Sequence, residues 1–349
     1  MNEKLSTRDQ EILEILIADY IATALPVGSR TISKKHGVHY SAATIRSVLA
    51  ELEEMGLLKQ PHTSAGRIPT AYGLRYYVNT LLKCRNLTLE EQESLKKKYL
   101  ASKGLGMEAV LDRTSQTLSA ISNYVGLVTS ASKNQVVFKQ IQFVLLSKKR
   151  ILGIFVSQEG LVQNKLIEVN NDLNYADLEK INNYVNNAFL GLTIEQAKKK
   201  IGKELAEIKK DYDQLLSQAM LFSQELFAAA GDAHLVFDGE AHLVGEPEFS
   251  KVEQLKNILE MLREKELVLS ILEGSQKSEG VQIFIGAESD LNSAPNYRVA
   301  MEKVSVVSAP FKKDGRVLGY LGVIGPMRMD YSRVIPVVDF TAKILEDIL

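Results

Sequence analysis

A single cysteine in 349 residues is the first absence to weigh. With Cys84 alone, one chain can build no disulfide, no thiolate zinc set and no iron–sulfur cluster. No apolar run approaches the length of a membrane span. Charged residues occupy MNEKLSTRDQEIL at the N-terminus, where a secretion signal needs its apolar core, so the sequence predicts a cytoplasmic chain. Charge of one sign is missing too: the net charge is -1, with 24% charged and 45% hydrophobic residues. That excludes a polycation and fits a globular chain of two or three domains. Solenoid repeats and low-complexity segments are also absent.

What is present is a local excess of positive charge. Between Ala22 and Cys84 stand Arg30, Lys34, Lys35, Arg46, Lys59, Arg67, Arg75 and Lys83 against Glu51, Glu53 and Glu54. A small basic module on a near-neutral body suits contact with duplex DNA.

The helical punctuation of this region agrees. Ser6 caps a first helix with Asp9 at the reciprocal position, Ile12, Ile15, Leu16 and Tyr20 form its apolar stripe, and Pro26 ends it. Ser29 is expected to cap a short second helix through Lys35, with a turn at Gly37. Ser41 caps a third within SAATIRSVLAELEEMGLL. Ile45, Val48, Leu49 and Leu52 fall on one side of it, and Ala43, Ser47 and Ala50 on the other, flanked by Thr44 and Arg46. Small outward residues let a helix approach base edges, and Arg46 can reach a phosphate or a guanine. Taken alone, that face fits a solvated surface equally well. The following hairpin, LKQPHTSAGRIPT, decides for DNA: Gly66 is expected to take a turn conformation closed to other residues, with Lys59, His62 and Arg67 as donors at its edges. Thr70 then caps a fourth helix to about Leu82. This order is the pattern of a winged helix-turn-helix, which places one helix in a major groove and a basic loop beside the backbone.

Downstream, Thr88 and Glu91 begin another helix, and Met107, Val110, Leu111, Thr114, Leu118 and Ile121 mark the next. KCRNLT and ASKGLG bracket a linker helix region, 85–104. Three strands are expected over 135–149, 150–160 and 161–170, then charged helices from Tyr175 to about Ala230. A helix near Val252–Leu262 precedes strands at Leu267–Leu272, Val281–Ile285, Val304–Ala309 and Arg316–Ile324, and a terminal helix runs from Tyr331.

Nothing assembles a catalytic or metal site. His36 and His39 straddle a helix–turn junction and lack a carboxylate to complete a ligand set. His234 and His242 flank Asp238 and Glu240 in what reads as a surface turn. Gly319, Gly322 and Gly325 lack the lysine–serine ending of a phosphate loop and sit within a strand, where close packing accounts for them. No nucleophile–base pair points to an enzyme. Asp330 is expected to cap the last helix, with Arg328 or Arg333 pairing to it. Cys84, between Lys83 and Arg85, would sense redox state only if its pKa were lowered; the ordinary reading is an incidental cysteine.

The residues SAATIR, LEEMGLL and HTSAGRIPT, together with GVIGPMRMDYSRVIP at Gly322–Pro336, resemble the bacterial heat-inducible transcription repressors of the HrcA family, and the resemblance covers essentially the whole chain. It departs at Ser47, where the family usually has Asn, at Leu74 and Asn79 after the hairpin, and at Met327. The resemblance implies an α+β multidomain protein: a winged helix-turn-helix domain at 1–84, a GAF-like α/β domain at 105–150 and 232–349, and an inserted dimerising domain at 151–231. It implies a homodimer that represses chaperone operons by binding the CIRCE inverted repeat, with the chaperonin GroEL as modulator and no cofactor or metal. With arms and spacer of roughly nine base pairs each, half-site centres lie roughly 60 Å apart. The DNA-binding candidates are Arg30, Ser41, Ala43, Thr44, Arg46, Ser47, His62 and Arg67. Two alternatives stay open: a metabolite-sensing repressor that uses the GAF-like pocket, and a scaffold that binds no DNA.

Overall fold

The computed structural model describes residues 5–35, 38–62, 65–100, 106–130, 137–158, 162–169, 173–207, 214–230, 235–273, 280–286, 301–313 and 315–348. His36, Gly37, residues 63–64, Glu159, Gly160 and His234 lie outside them. The described residues form an α+β protein with three sheets.

The N-terminal unit opens with α1 (Thr7–Thr23), capped by the Ser6 side chain and closed by Ala24 in a left-handed conformation, φ 58°. Its buried stripe of Ile12, Leu13, Leu16 and Ile17 shares a core with Ile45, Val48, Leu49 and Leu52 of α3 (Ala42–Glu54). Between them lies α2 (Ser29–Lys35), where Ser29 is the first helical residue and not the cap. The Gly28 carbonyl instead accepts the amides of Thr31 and Ile32 at 3.0 and 3.2 Å. Gly56, at φ 75°, turns the chain from α3 into β1 (Leu58–Lys59), which pairs antiparallel with β2 (Ile68–Pro69). Thr70 caps α4 (Ala71–Tyr76), which runs into a π-helical turn at Tyr77–Leu81.

The second unit is an antiparallel meander of β4 (Phe138–Ser147), β5 (Arg150–Ser157) and β6 (Val162–Glu168). Helices α7 (Tyr175–Phe189), α8 (Ile194–Glu207) and α9 (Gln214–Ala230) close its core around Phe138, Phe155, Phe189 and Phe227. Asn186 and Asn182 of α7 hydrogen-bond both backbone groups of Ile141 and Phe143, at 2.7–3.0 Å. Side-chain amides thus occupy the outer edge of β4, which would otherwise offer a free ladder.

The central unit is a five-stranded antiparallel sheet in the order β7–β3–β10–β9–β8. Its strands are β3 (Val125–Ser130), β7 (Leu235–Asp238), β8 (Gln282–Ile285), β9 (Val304–Lys313) and β10 (Arg316–Pro326). On one face pack α5 (Leu89–Leu100), α6 (Met107–Ser122) and α12 (Tyr331–Ile348); α10 (Val252–Arg263) and α11 (Lys265–Glu273) cover the other. With helices on both faces, β3 is buried at every position and shows no alternation. Gly322 sits where a methyl group would lie 2.6 Å from the Val307 carbonyl oxygen, and at Gly325 it would lie 2.7 Å from the Tyr124 ring, so close strand packing does account for these glycines.

Two further expectations change. Leu267–Leu272 is helical, because Leu267, Val268, Ile271 and Leu272 recur at helical spacing and all four point into the core. The expected division at 150/151 cuts the β4–β5 hairpin, so the inserted sheet begins at Phe138. The insertion leaves the central unit after β3 and returns as β7, its hydrogen-bonded neighbour.

Candidate nucleic-acid interface

The Ser41 hydroxyl accepts the Thr44 amide at 3.1 Å and starts α3. The outward side of that helix carries exposed Ala43, Arg46, Ser47 and Ala50. Thr44 is half-buried, its hydroxyl 2.9 Å from that of Ser41, and Ser47 donates to Glu51 Oε1 at 3.3 Å. Arg46 and Arg30 are exposed and have no protein partner among the described residues.

The β1–β2 hairpin is fastened beside this face by two devices. Arg67 and Val27 exchange backbone hydrogen bonds, both 2.9 Å, tying the hairpin to the segment before α2. Glu53 of α3 accepts the Gln60 amide at 3.1 Å through one oxygen, and its other oxygen lies 2.8 Å from Arg67 Nε. The Gln60 side chain in turn donates to the Ala65 carbonyl at 3.0 Å. Gly66 is required here, but not for a positive φ. A methyl group at that position would lie 2.5 Å from the Val27 carbonyl carbon and oxygen, so the reason is close approach of two backbones.

The result is an open cleft of about 420 Å³, with Arg30, Arg46 and Arg67 on its walls beside Ser29, Gln60 and Gly66. Three arginines drawn from three separate elements line one concave surface, a setting suited to phosphate groups. Of the sequence candidates, Arg30, Arg46 and Arg67 meet there. Ala43 and Ser47 lie on the adjoining outer face of α3, Ser41 and Thr44 are occupied at its cap, and His62 is exposed on the hairpin. Glu53 and Gln60 were missed: an acid inside a basic segment reads as solvated charge until the hairpin folds back on it.

The other sequence candidates resolve differently. Among the described residues no group of three or more His, Cys, Asp or Glu is placed to hold a metal ion. No described helix is long and apolar enough to cross a membrane. Desolvation pushes the Cys84 thiol up, opposite to the shift that redox sensing needs. His242 lies in a 3-10 turn after β7. Asp330 does start α12, accepting the Arg333 amide, but Arg328 turns away from it to Glu246 and Glu248.

Comparison with known proteins adds a family. Residues 108–335 match the model of the HrcA protein C-terminal domain. The chain is 40% identical over 345 residues to a heat-inducible transcription repressor HrcA of Geobacter sulfurreducens, covering 99% of this chain and 98% of that protein. It is 38% identical over 347 residues to the same repressor of Syntrophobacter fumaroxidans, covering 99% and 97%. The fold is shared with a crystal structure described as a hypothetical protein, at TM-score 0.60 and 22% identity over 99% of this chain and 98% of that one.

Proposed function

Because the chain belongs to the HrcA family of heat-inducible transcription repressors, and is thus a repressor and not an enzyme, we propose that it acts as a homodimer on the CIRCE inverted repeat. In this reading the N-terminal unit is a winged helix-turn-helix. Its α3 lies in the major groove with Arg46, Ala43 and Ser47 toward base edges. Arg30, Arg67 and His62 meet the backbone beside it. The observation that carries the reading is the convergence of Arg30, Arg46 and Arg67 on the cleft between α2, α3 and the hairpin.

The central unit serves as the GAF-like platform, and the inserted meander as the dimerising domain. Its outer sheet face supports that role. Val144, Leu152 and Leu166 align in one cross-strand row, and Ile154 stands in the next. Val144 and Leu166 are 36% and 48% exposed, an apolar surface that a second copy would cover. Repression ends when the active folded fraction falls on heat stress, with GroEL restoring it; that part rests on the family resemblance.

Gel shifts with a CIRCE duplex and a scrambled duplex, with and without GroEL plus ATP, test the scheme. Selective binding raised by the chaperonin supports all of it. Selective binding unmoved by the chaperonin removes GroEL. No binding by folded, dimeric protein removes the operator assignment and favours the scaffold.

A second reading, a repressor answering to a small metabolite, rests on a cleft of about 480 Å³ between α5, α6 and α12, lined by Glu90, Glu91 and Arg333. Arg333 Nε is buried there without a hydrogen-bond partner. A metabolite held by Arg333 at this site would raise the melting temperature of the wild type and leave Arg333→Leu unmoved.

A further inference from the structure

The segment Met327–Asp330 stands some 280 residues beyond α3, yet it reaches the N-terminal unit. Arg328, in the turn between β10 and α12, is only 13% exposed. Its Nε donates to Glu248 Oε1 at 2.7 Å, its Nη2 to Glu246 Oε2, and its Nη1 to the Ile21 carbonyl at 3.2 Å. Ile21 lies in the last turn of α1, where carbonyls lack intrahelical partners and the helix end is negative. One guanidinium therefore joins two carboxylates of the central unit to the end of the helix on which α3 packs.

The balance of charge gives this contact a direction. Two carboxylates and a helix C-terminus surround a single cation. Without Arg328, Glu246 and Glu248 would face each other and the Ile21 carbonyl uncompensated, and the units would be pushed apart. Tyr20, one residue before Ile21, feels one of these carboxylates: burial first, then Glu248, raises its hydroxyl pKa, and Arg328 opposes them. A second tether, from Arg75 Nη2 of α4 to the Ile283 carbonyl of β8 at 2.5 Å, also holds the N-terminal unit on the central sheet.

We propose that Arg328 is a positioning residue for operator recognition. It fixes the angle at which α1, and through their shared core α3, is presented from the central unit, and so sets the arm spacing a dimer reads. This rests on the proposed binding to an inverted repeat. Lysine cannot replace it, because a point charge does not span three acceptors as a planar fork does.

The test uses full-length wild type, Arg328→Ala and Arg328→Lys on a single-arm duplex and on inverted repeats whose spacer is varied through half a helical turn. Wild type should prefer one spacer. Both variants should keep single-arm affinity within about twofold, lose the spacer preference, and bind the preferred spacer roughly 10- to 100-fold more weakly, because two arms no longer engage together. A spacer profile unchanged in the variants overturns the proposal. If Arg328→Ala does not fold, Arg328→Lys decides. If wild type binds no duplex, the operator reading falls, and hydrogen exchange at the end of α1 decides on Arg328 instead. Faster exchange in Arg328→Lys supports its hold on α1, and unchanged exchange removes it.

Discussion

Arg67 of the hairpin and Glu53 of α3 are joined at 2.8 Å, with side chains 21% and 34% exposed. The hairpin cation proposed to meet DNA is therefore already paired, to an acid on the very helix it flanks. The pair fastens the hairpin to α3 and restrains its charge in one act. Glu53→Gln should free Arg67 while keeping an acceptor for the Gln60 amide. We expect stronger binding to a scrambled duplex at low salt, a smaller ratio of specific to non-specific affinity, and a salt slope steeper by about one. Titrations of both duplexes across salt measure all three, and an unchanged slope would place Arg67 outside the interface.

Arg46 carries no such restraint. Arg46→Ala should weaken operator binding by about 1–3 kcal/mol if it reads a base edge. Its exposed position predicts a stability change within about 0.5 kcal/mol. Fluorescence anisotropy against matched and mutated operators separates a base contact, lost at one position only, from a phosphate contact, lost uniformly.

Two glycines should respond oppositely to the same substitution. Gly66→Ala forces a methyl group against the Val27 backbone, and should destabilise by about 1–3 kcal/mol, loosening the hairpin. Gly202→Ala, within α8, meets nothing within 4 Å and should stabilise by about 0.5–1 kcal/mol. Urea denaturation of the two variants checks the pair.

Acid should act on the N-terminus of α5. The Glu91 carboxyl is held below its usual range by the Thr88 amide first, with Arg85 assisting. A depressed carboxylate contributes stability above its unfolded pKa, and that contribution is lost as pH falls through the folded value. Exchange at the start of α5 should therefore accelerate below about pH 4, and Glu91→Gln should flatten that dependence.

The meander surface predicts assembly. Leu166→Asp places a charge in the Val144–Leu152–Leu166 row and should yield monomers in sedimentation velocity. Such monomers should retain single-arm binding and lose tight binding to the full repeat. A dimer unaffected by the charge would move the interface elsewhere.

Local rules carried much of the fold. Ser6, Ser41, Thr70 and Thr88 each sit at a cap or box position, because a hydroxyl three residues before a free amide acts over a few ångströms. The inward faces of α3 and α6 were legible for the same reason. The strand expected at Leu267–Leu272 failed because a short apolar run does not by itself distinguish a strand from a buried helix. Gly66 was rightly singled out but for the wrong cause, since its constraint comes from Val27, some forty residues earlier. The pairing of Glu53 with Arg67 and the reach of Arg328 to Ile21 were invisible for that reason: both are contacts between elements whose meeting depends on the whole fold.

The order in which the chain leaves the ribosome follows from the position of the insertion. The N-terminal unit is complete within the first quarter of the sequence, and the meander with its helices by Ala230. β3, made early at Val125–Ser130, must wait for β7 on one side and for β10, which ends at Pro326, on the other. One flank of this fully buried strand thus stays unpaired until Asp238 is made, and the other until almost the whole chain is synthesised. The part that would read DNA is finished long before the platform that aims it, so an interrupted or unfolded copy can hold an intact reading head with nothing to direct it.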